Sequence, residues 1–317
     1  MEESKEAIGK VREITLAGVE KEPISFEDVD VERVRSDDAY IYRFVEDRSG
    51  KIDDAAKMLL DTLRWRKSYG VNHMKAEDFP AEIFRVAELF EFYPDKNGIS
   101  TLYLRIDRHR PVSKWKEVIR RFIVYNIEQA EKVATQNNKG IGLMVDARNG
   151  KIYHVEIDLD LFTIKTILNY YPGCLQYLAV FEIPWILMAI LKLVKSWCPA
   201  HYQDKFKFIN KSNVDEFIGL ENLPEFMGGY RPMLWPKACF TAPLAVHLEE
   251  TGVVPQGSCD QLNKNYDFAL QEFYQTQEYI DWKNQSNVSK NKENIKLNEC
   301  PKDLKISETL KTAAPVV

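Results

Sequence analysis

The chain has 317 residues, 45% of them apolar, and a formal net charge of −5, which is enough for one large packed domain or two smaller ones. So mild an acidic balance excludes bulk attraction to nucleic acid or to an anionic membrane, and no nucleic-acid partner is expected. The five cysteines, Cys174, Cys198, Cys239, Cys259 and Cys300, are odd in number and lack any Cys-x-x-Cys spacing; this argues against a disulfide framework or a zinc site and for a reducing, cytoplasmic setting.

Residues 1–25 are charged from the second position and contain no apolar run, so a signal peptide is not expected and the segment reads as a fraying helix or flexible arm. The sequons at Asn210, Asn284 and Asn287 are then expected to be idle. Over 26–78 the pattern turns helical. Ser36-Asp37-Asp38 is a helix start before AYIYRFVED, and Ser49-Gly50 breaks it. A second helix opens at Asp53-Asp54 and carries Ala55, Met58, Leu59, Thr62, Leu63 and Arg66 at spacings of three and four, closing near Gly70.

From 79 to 232 strands and helices alternate. An amphipathic stretch, AEIFRVAELFEFYP, leads through a turn at 95–98 into the strand ISTLYLRID. A helix follows at 113–137, then a buried strand at 140–146 whose Gly-x-Gly precedes the strand, so it lacks the geometry that cradles a dinucleotide phosphate. After a helix at 158–172 come the strand LQYLAVF, the segment PWILMAILKLVKSW at 184–197, and the strand KFKFIN, with ENLPEFMGG closing the unit. This order predicts an α/β fold, a mixed sheet covered by helices.

The 184–197 segment is apolar on nearly every side, with Lys192 and Lys195 as its wet stripe. It spans roughly 21 Å, short of the roughly 30 Å hydrocarbon core, so it is not a membrane span. Two readings remain: a central core helix, or a helix that closes over a lipid-sized cavity. After Pro232 the composition becomes polar, and 233–317 is expected to be mostly disordered apart from a short amphipathic helix through Tyr266, Leu270, Phe273 and Tyr274, a candidate for partner binding.

No Gly-x-Ser-x-Gly elbow, His-Glu-x-x-His or P-loop is present. His73, His109, His154, His201 and His247 are scattered and read as surface or satisfied side chains, so no catalytic residue, metal or cofactor is expected. Acidic pairs at helix starts need no catalytic explanation.

The order strand, long apolar helix, strand and Leu-Pro-x-x-x-Gly-Gly, preceded by Arg43-Phe44 and Trp65-Arg66 in a small helical module, resembles the CRAL-TRIO family of lipid-binding proteins. Over 30–232 the likeness is densest to its motile sperm domain-containing members, whose additional domain and membrane anchor are not expected here. The resemblance implies a non-enzymatic protein that binds, and transfers between membranes, a phospholipid or other small lipid. The 184–197 helix is then a gate in transient contact with bilayer, and the protein is cytoplasmic with reversible peripheral association. The competing class is an adaptor acting through the helical module and tail.

Tyr103, Tyr170, Tyr171, Tyr177, Phe181, Trp185, Met188, Lys205, Phe206 and Phe208 are expected to contact the ligand. Trp185, Leu187, Ile190, Leu191, Lys192, Val194 and Lys195 are expected to form the gate and its membrane contact, with both lysines near phosphate headgroups. In inositol-lipid binders of this family a Glu follows Tyr-Tyr-Pro and a Lys opens the strand after the gate. Gly173 stands at the first position and Lys205 at the second, and Glu46 replaces an Arg of the helical module, so the resemblance implies only half of an inositol-phosphate site.

Overall fold

A computed structural model describes residues 2–136 and 139–292. Four helices form the N-terminal module: α1 (Glu2–Lys21), α2 (Asp28–Ser36), α3 (Asp38–Asp47) and α4 (Ile52–Tyr69). Asp37 caps α3, its carboxylate accepting from the Tyr40 N–H at 2.8 Å, which satisfies one of the free donors of the first turn. The expectation of a flexible arm at 1–25 does not hold. Ile8, Val11, Thr15 and Val19 are buried, and their spacings of three and four make one face of α1 that packs on α4. The charged residues between them hid that stripe in the composition.

The next elements are α5 (Ala81–Val86), β1 (Leu89–Phe92), β2 (Ser100–Arg105), α6 (Lys116–Gln136), β3 (Ile141–Asp146), α7 (Ile157–Tyr170), β4 (Leu175–Phe181), α8 (Trp185–Ser196), α9 (Ala200–Gln203), β5 (Phe206–Ile209) and α10 (Val214–Phe217). The five strands form one sheet in the order β1-β2-β3-β4-β5. β1 runs antiparallel to β2 and all other pairs are parallel. Each parallel step therefore needs a crossover, supplied by α6, α7 and the α8–α9 pair. The amphipathic stretch before the first expected strand divides into α5 and β1, so the sheet has one strand more at that edge than the pattern suggested.

Side chains alternate across the sheet, and its two faces differ. On one, Phe90, Phe92, Tyr103, Met144, Tyr177, Ala179, Phe181 and Ile209 pack with Ile218, Leu223, Met227, Trp235 and Phe240 into the largest core cluster. The strand glycine Gly142 belongs to this face: a Cβ there would sit 2.3 Å from Cζ of Tyr177, so its role is to admit that ring. The other face is aliphatic and hollow.

Beyond α10 the chain adds α11 (Ala238–Thr241), α12 (Ala245–Glu250), α13 (Ser258–Tyr274) and α14 (Gln277–Lys292). This corrects the expectation of a mostly disordered 233–317. Trp235, Phe240, Leu248, Leu262, Tyr266, Leu270 and Phe273 are buried, and α11 and α13 pack on α5. The helix through Tyr266, Leu270 and Phe273 is present, but its apolar face is occupied within the chain. Residues 293–317, including Cys300, lie outside the described residues. Among the described residues no helix is long and apolar enough to cross a membrane.

A buried polar network ties the module to the sheet domain. Arg66 donates to Asp30 at 2.7 Å and to Glu128 at 2.7 and 3.2 Å, while the Tyr171 hydroxyl donates to Glu128 at 2.6 Å. Burial works against a charge on Glu128, but Arg66 outweighs it and holds the carboxyl below its usual range. Trp65 stacks on Tyr170 with ring centres 4.0 Å apart.

Candidate functional site

The hollow face of the sheet is the floor of a cavity of about 270 Å³, nearly twice the roughly 150 Å³ of an apolar cavity that binds benzene. Leu102 and Leu104 of β2, Ile141, Leu143 and Val145 of β3, Leu178 and Val180 of β4, and Phe206 of β5 form the floor. Ile123 and Ile127 of α6, Ile164, Ile167 and Leu168 of α7, and Leu187, Ile190, Leu191 and Val194 of α8 form walls. Leu262 and Tyr266 of α13 also line it. Such a lining releases water at little cost and gains about 25 cal/mol for each Å² of apolar ligand covered.

The α8 wall is two-sided. Leu187, Ile190, Leu191 and Val194 recur at helical spacing and point inward, whereas Trp185, Ile186 and Leu193 are exposed, Trp185 at 87%. Lys192 is exposed beside them. Lys195 is partly buried, its ammonium over the Phe206 ring at 5.7 Å. Both faces of the helix are therefore apolar; of the expected gate residues Trp185 and Lys192 face outward, joined by Ile186 and Leu193.

One part of the lining is polar. His109 meets Glu88 at 2.7 Å through Nδ1 and Glu156 at 3.2 Å through Nε2. Burial opposes the imidazolium, yet the two carboxylates outweigh it and push the His109 pKa up to about 9. The Tyr266 hydroxyl lies 3.2 Å from Glu88 and donates to the Arg110 carbonyl at 2.9 Å. Asp160 lines the same cavity, and burial raises its carboxyl to about 6 against the pull of His109. His154 is buried and also lines the cavity. Its Nδ1 accepts from the Lys151 N–H at 3.1 Å, burial first and Arg110 second hold its pKa low, and its Nε2 has no hydrogen-bond partner among the described residues. Cys174 and Cys198, both free thiols, also line the cavity.

Of the expected ligand contacts, the structure places Phe206 at the cavity, and of the expected gate residues Leu187, Ile190, Leu191 and Val194. Tyr103, Tyr177 and Phe181 sit in the core cluster on the opposite sheet face; strand parity puts them there, since their neighbours Leu102, Leu104, Leu178 and Val180 face the cavity. Tyr170 and Tyr171 belong to the junction with the helical module. Trp185 points to solvent, and Phe208, on the edge strand, is 48% exposed. Met188 is partly buried and does not line the cavity.

Lys205 is partly buried and donates to the Leu175 carbonyl at 2.6 Å, away from the cavity. Gly173, with φ of 68°, lets Arg43 close in, and a Cβ there would meet the Arg43 Cβ at 3.3 Å. Arg43 itself pairs with Glu131. The crevice bounded by Arg33, Tyr40, Arg43, Glu131 and the Tyr-Tyr-Pro turn encloses about 10 Å³, about one water molecule. Neither Gly173 nor Lys205, the two positions of the expected half-site, bounds this crevice. The residues that sequence reading missed are Glu88, His109, His154, Glu156, Asp160 and Tyr266; with no motif spacing among them, only the fold brings them together.

Residues 89–229 match the model of the CRAL/TRIO domain family. The chain is similar to the CRAL-TRIO domain-containing protein C3H8.02 of Schizosaccharomyces pombe, 22% identical over 241 residues that cover 73% of this chain and 54% of the relative. It is also similar to the phosphatidylinositol transfer protein CSR1 of Eremothecium gossypii, 26% identical over 208 residues, covering 61% of this chain and 47% of that protein. The chain spans about half the length of these curated relatives. The crystal structure of Sfh5 shares the fold, with a TM-score of 0.58 at 12% identity, covering 80% of this chain and 98% of that one. Glu88 and Tyr266 fall outside the matched 89–229, so the polar end of the cavity is built partly from flanking chain.

Proposed function

We propose that this protein is a non-enzymatic lipid carrier, which takes one hydrophobic ligand into the cavity under α8 and exchanges it at a membrane surface. The observation that carries the reading is the pairing of an aliphatic cavity of about 270 Å³ with a wall helix whose outer side, Trp185, Ile186 and Leu193, is also apolar. A long acyl chain crosses water only under cover, because its exposed apolar surface costs about 25 cal/mol per Å². A wall that is apolar on both sides suits a carrier. When it is closed, its inner side covers the ligand, and when it is open, its outer side rests in the bilayer interface. The similarity to a transfer protein and the CRAL/TRIO domain support the same reading. Cytoplasmic residence with reversible membrane contact follows from it as part of the proposal.

The test is lipid movement between donor and acceptor vesicles. Ile186→Glu combined with Leu193→Glu places two charges on the exposed side of α8. Because neither residue lines the cavity, stability should change by no more than about 0.5 kcal/mol while transfer falls at least about ten-fold. Transfer at the unmodified rate by a folded double variant would move membrane contact elsewhere; absence of transfer by the parent protein would remove the carrier reading.

A further inference from the structure

Among the described residues no lysine or arginine lines the cavity, whereas three carboxylates, Glu88, Glu156 and Asp160, do. One imidazolium, His109, balances part of this charge, and both its ring nitrogens are engaged by Glu88 and Glu156. The Asp160 carboxylate makes no hydrogen bond among the described residues. A carboxylate withdrawn from water calls for a cationic or hydrogen-bonding partner, and among the described residues Asp160 has the charge of His109, already engaged by Glu88 and Glu156, and no side-chain hydrogen bond. A phosphate head would arrive with more negative charge and find no free cation to meet it.

The second unmatched group is of the opposite kind. His154 is 5% exposed. Because its Nδ1 accepts from a backbone N–H, the neutral ring carries its proton on Nε2, and that donor is unpartnered. A buried donor without an acceptor is costly, so the site gains from an acceptor oxygen as well as from a cation.

Resting on the lipid-carrier reading, we propose that the cavity is selective for a single-chain lipid with a protonated amine head, the ammonium pairing with Asp160 and an adjacent hydroxyl, where present, accepting from His154. The size of the cavity agrees, since about 270 Å³ suits one chain better than two. The Asp160 pKa of about 6 is what burial produces against the weaker pull of His109, and a bound ammonium adds to that pull.

The full chain, stripped of lipid, is titrated with hexadecylamine, a hexadecyl amino alcohol, hexadecanol and hexadecyl phosphate at neutral pH. The amine should bind at least about ten-fold tighter than the phosphate and tighter than the alcohol, and the amino alcohol tighter still. Asp160→Asn keeps the shape and removes the charge, and should erase most of the amine's advantage over the alcohol while leaving alcohol affinity within about two-fold. Phosphate binding as tight as amine binding, or an amine-to-alcohol ratio that Asp160→Asn leaves unchanged, overturns this inference and leaves the carrier reading standing. Failure of every probe to bind a folded protein overturns both.

Discussion

The two faces of the sheet come from the same strands and differ in what their side chains do. On one, Tyr103, Tyr177 and Phe181 interlock with Phe90, Phe92 and Phe217 into a filled core. On the other, Leu102, Leu143, Leu178 and Val180 line open volume. Flat rings stack and meet edge to face until little space is left; branched aliphatic chains of moderate size, held off by helices on the far side, leave a hollow. Aromatic residues in β1 to β4 mark the side that is full, and their aliphatic neighbours mark the side that receives a guest.

The largest effect that breaks this comparison is truncation. Phe181→Ala, at a position with 0% exposure, should destabilise by about 3–5 kcal/mol, whereas Leu143→Ala, which faces existing space, should cost distinctly less. Denaturant unfolding of both variants decides the point, and equal losses would mean that the hollow face is packed in solution.

A smaller effect sharpens the contrast in polar groups. On the filled side the Tyr177 hydroxyl donates to Asp95 at 3.1 Å, whereas the Asp160 carboxylate on the hollow side makes no hydrogen bond among the described residues. Because its carboxyl is raised from 3.8 to about 6 in the folded chain, it costs nothing below pH 3.8, and the cost grows from there until it is complete above pH 6. Asp160→Asn should therefore stabilise the lipid-free protein above pH 6 by on the order of 2 kcal/mol and leave it unaltered below pH 4. His109 works in the other direction: raised from 6.5 to about 9, its ion pairs stabilise fully below pH 6.5, and that contribution is lost as pH rises through 9. Thermal melts across pH 4–9 report both.

Much of the fold was legible because period and punctuation agree there. The helix of 184–197, the strands around it, and the cap at Asp37 all carry local signals that packing did not override. The errors have physical causes. The α1 stripe of Ile8, Val11, Thr15 and Val19 is thin among charges, and its value appears only when α4 lies against it. The helices of 233–292 were averaged together with the polar run that follows them. Strand parity was the costliest omission for the site: a residue set drawn from aromatic content selected the wrong face, because nothing in Tyr177 or Leu178 alone says which side a helix will leave empty. The polar end was not legible at all, since Glu88, His109, Asp160 and Tyr266 come from four separate segments.

A small expected change in stability accompanies the measurement that bears most directly on the central claim. Leu143→Trp adds bulk into the hollow, where there is room for it, so stability should shift by less than about 1 kcal/mol. Native mass spectrometry of the parent protein and of this variant, each incubated with vesicles of mixed lipids and reisolated, should show one lipid on most parent molecules and few loaded variants. A folded parent that emerges without lipid, or a variant loaded as fully as the parent, would contradict a cavity built to carry one.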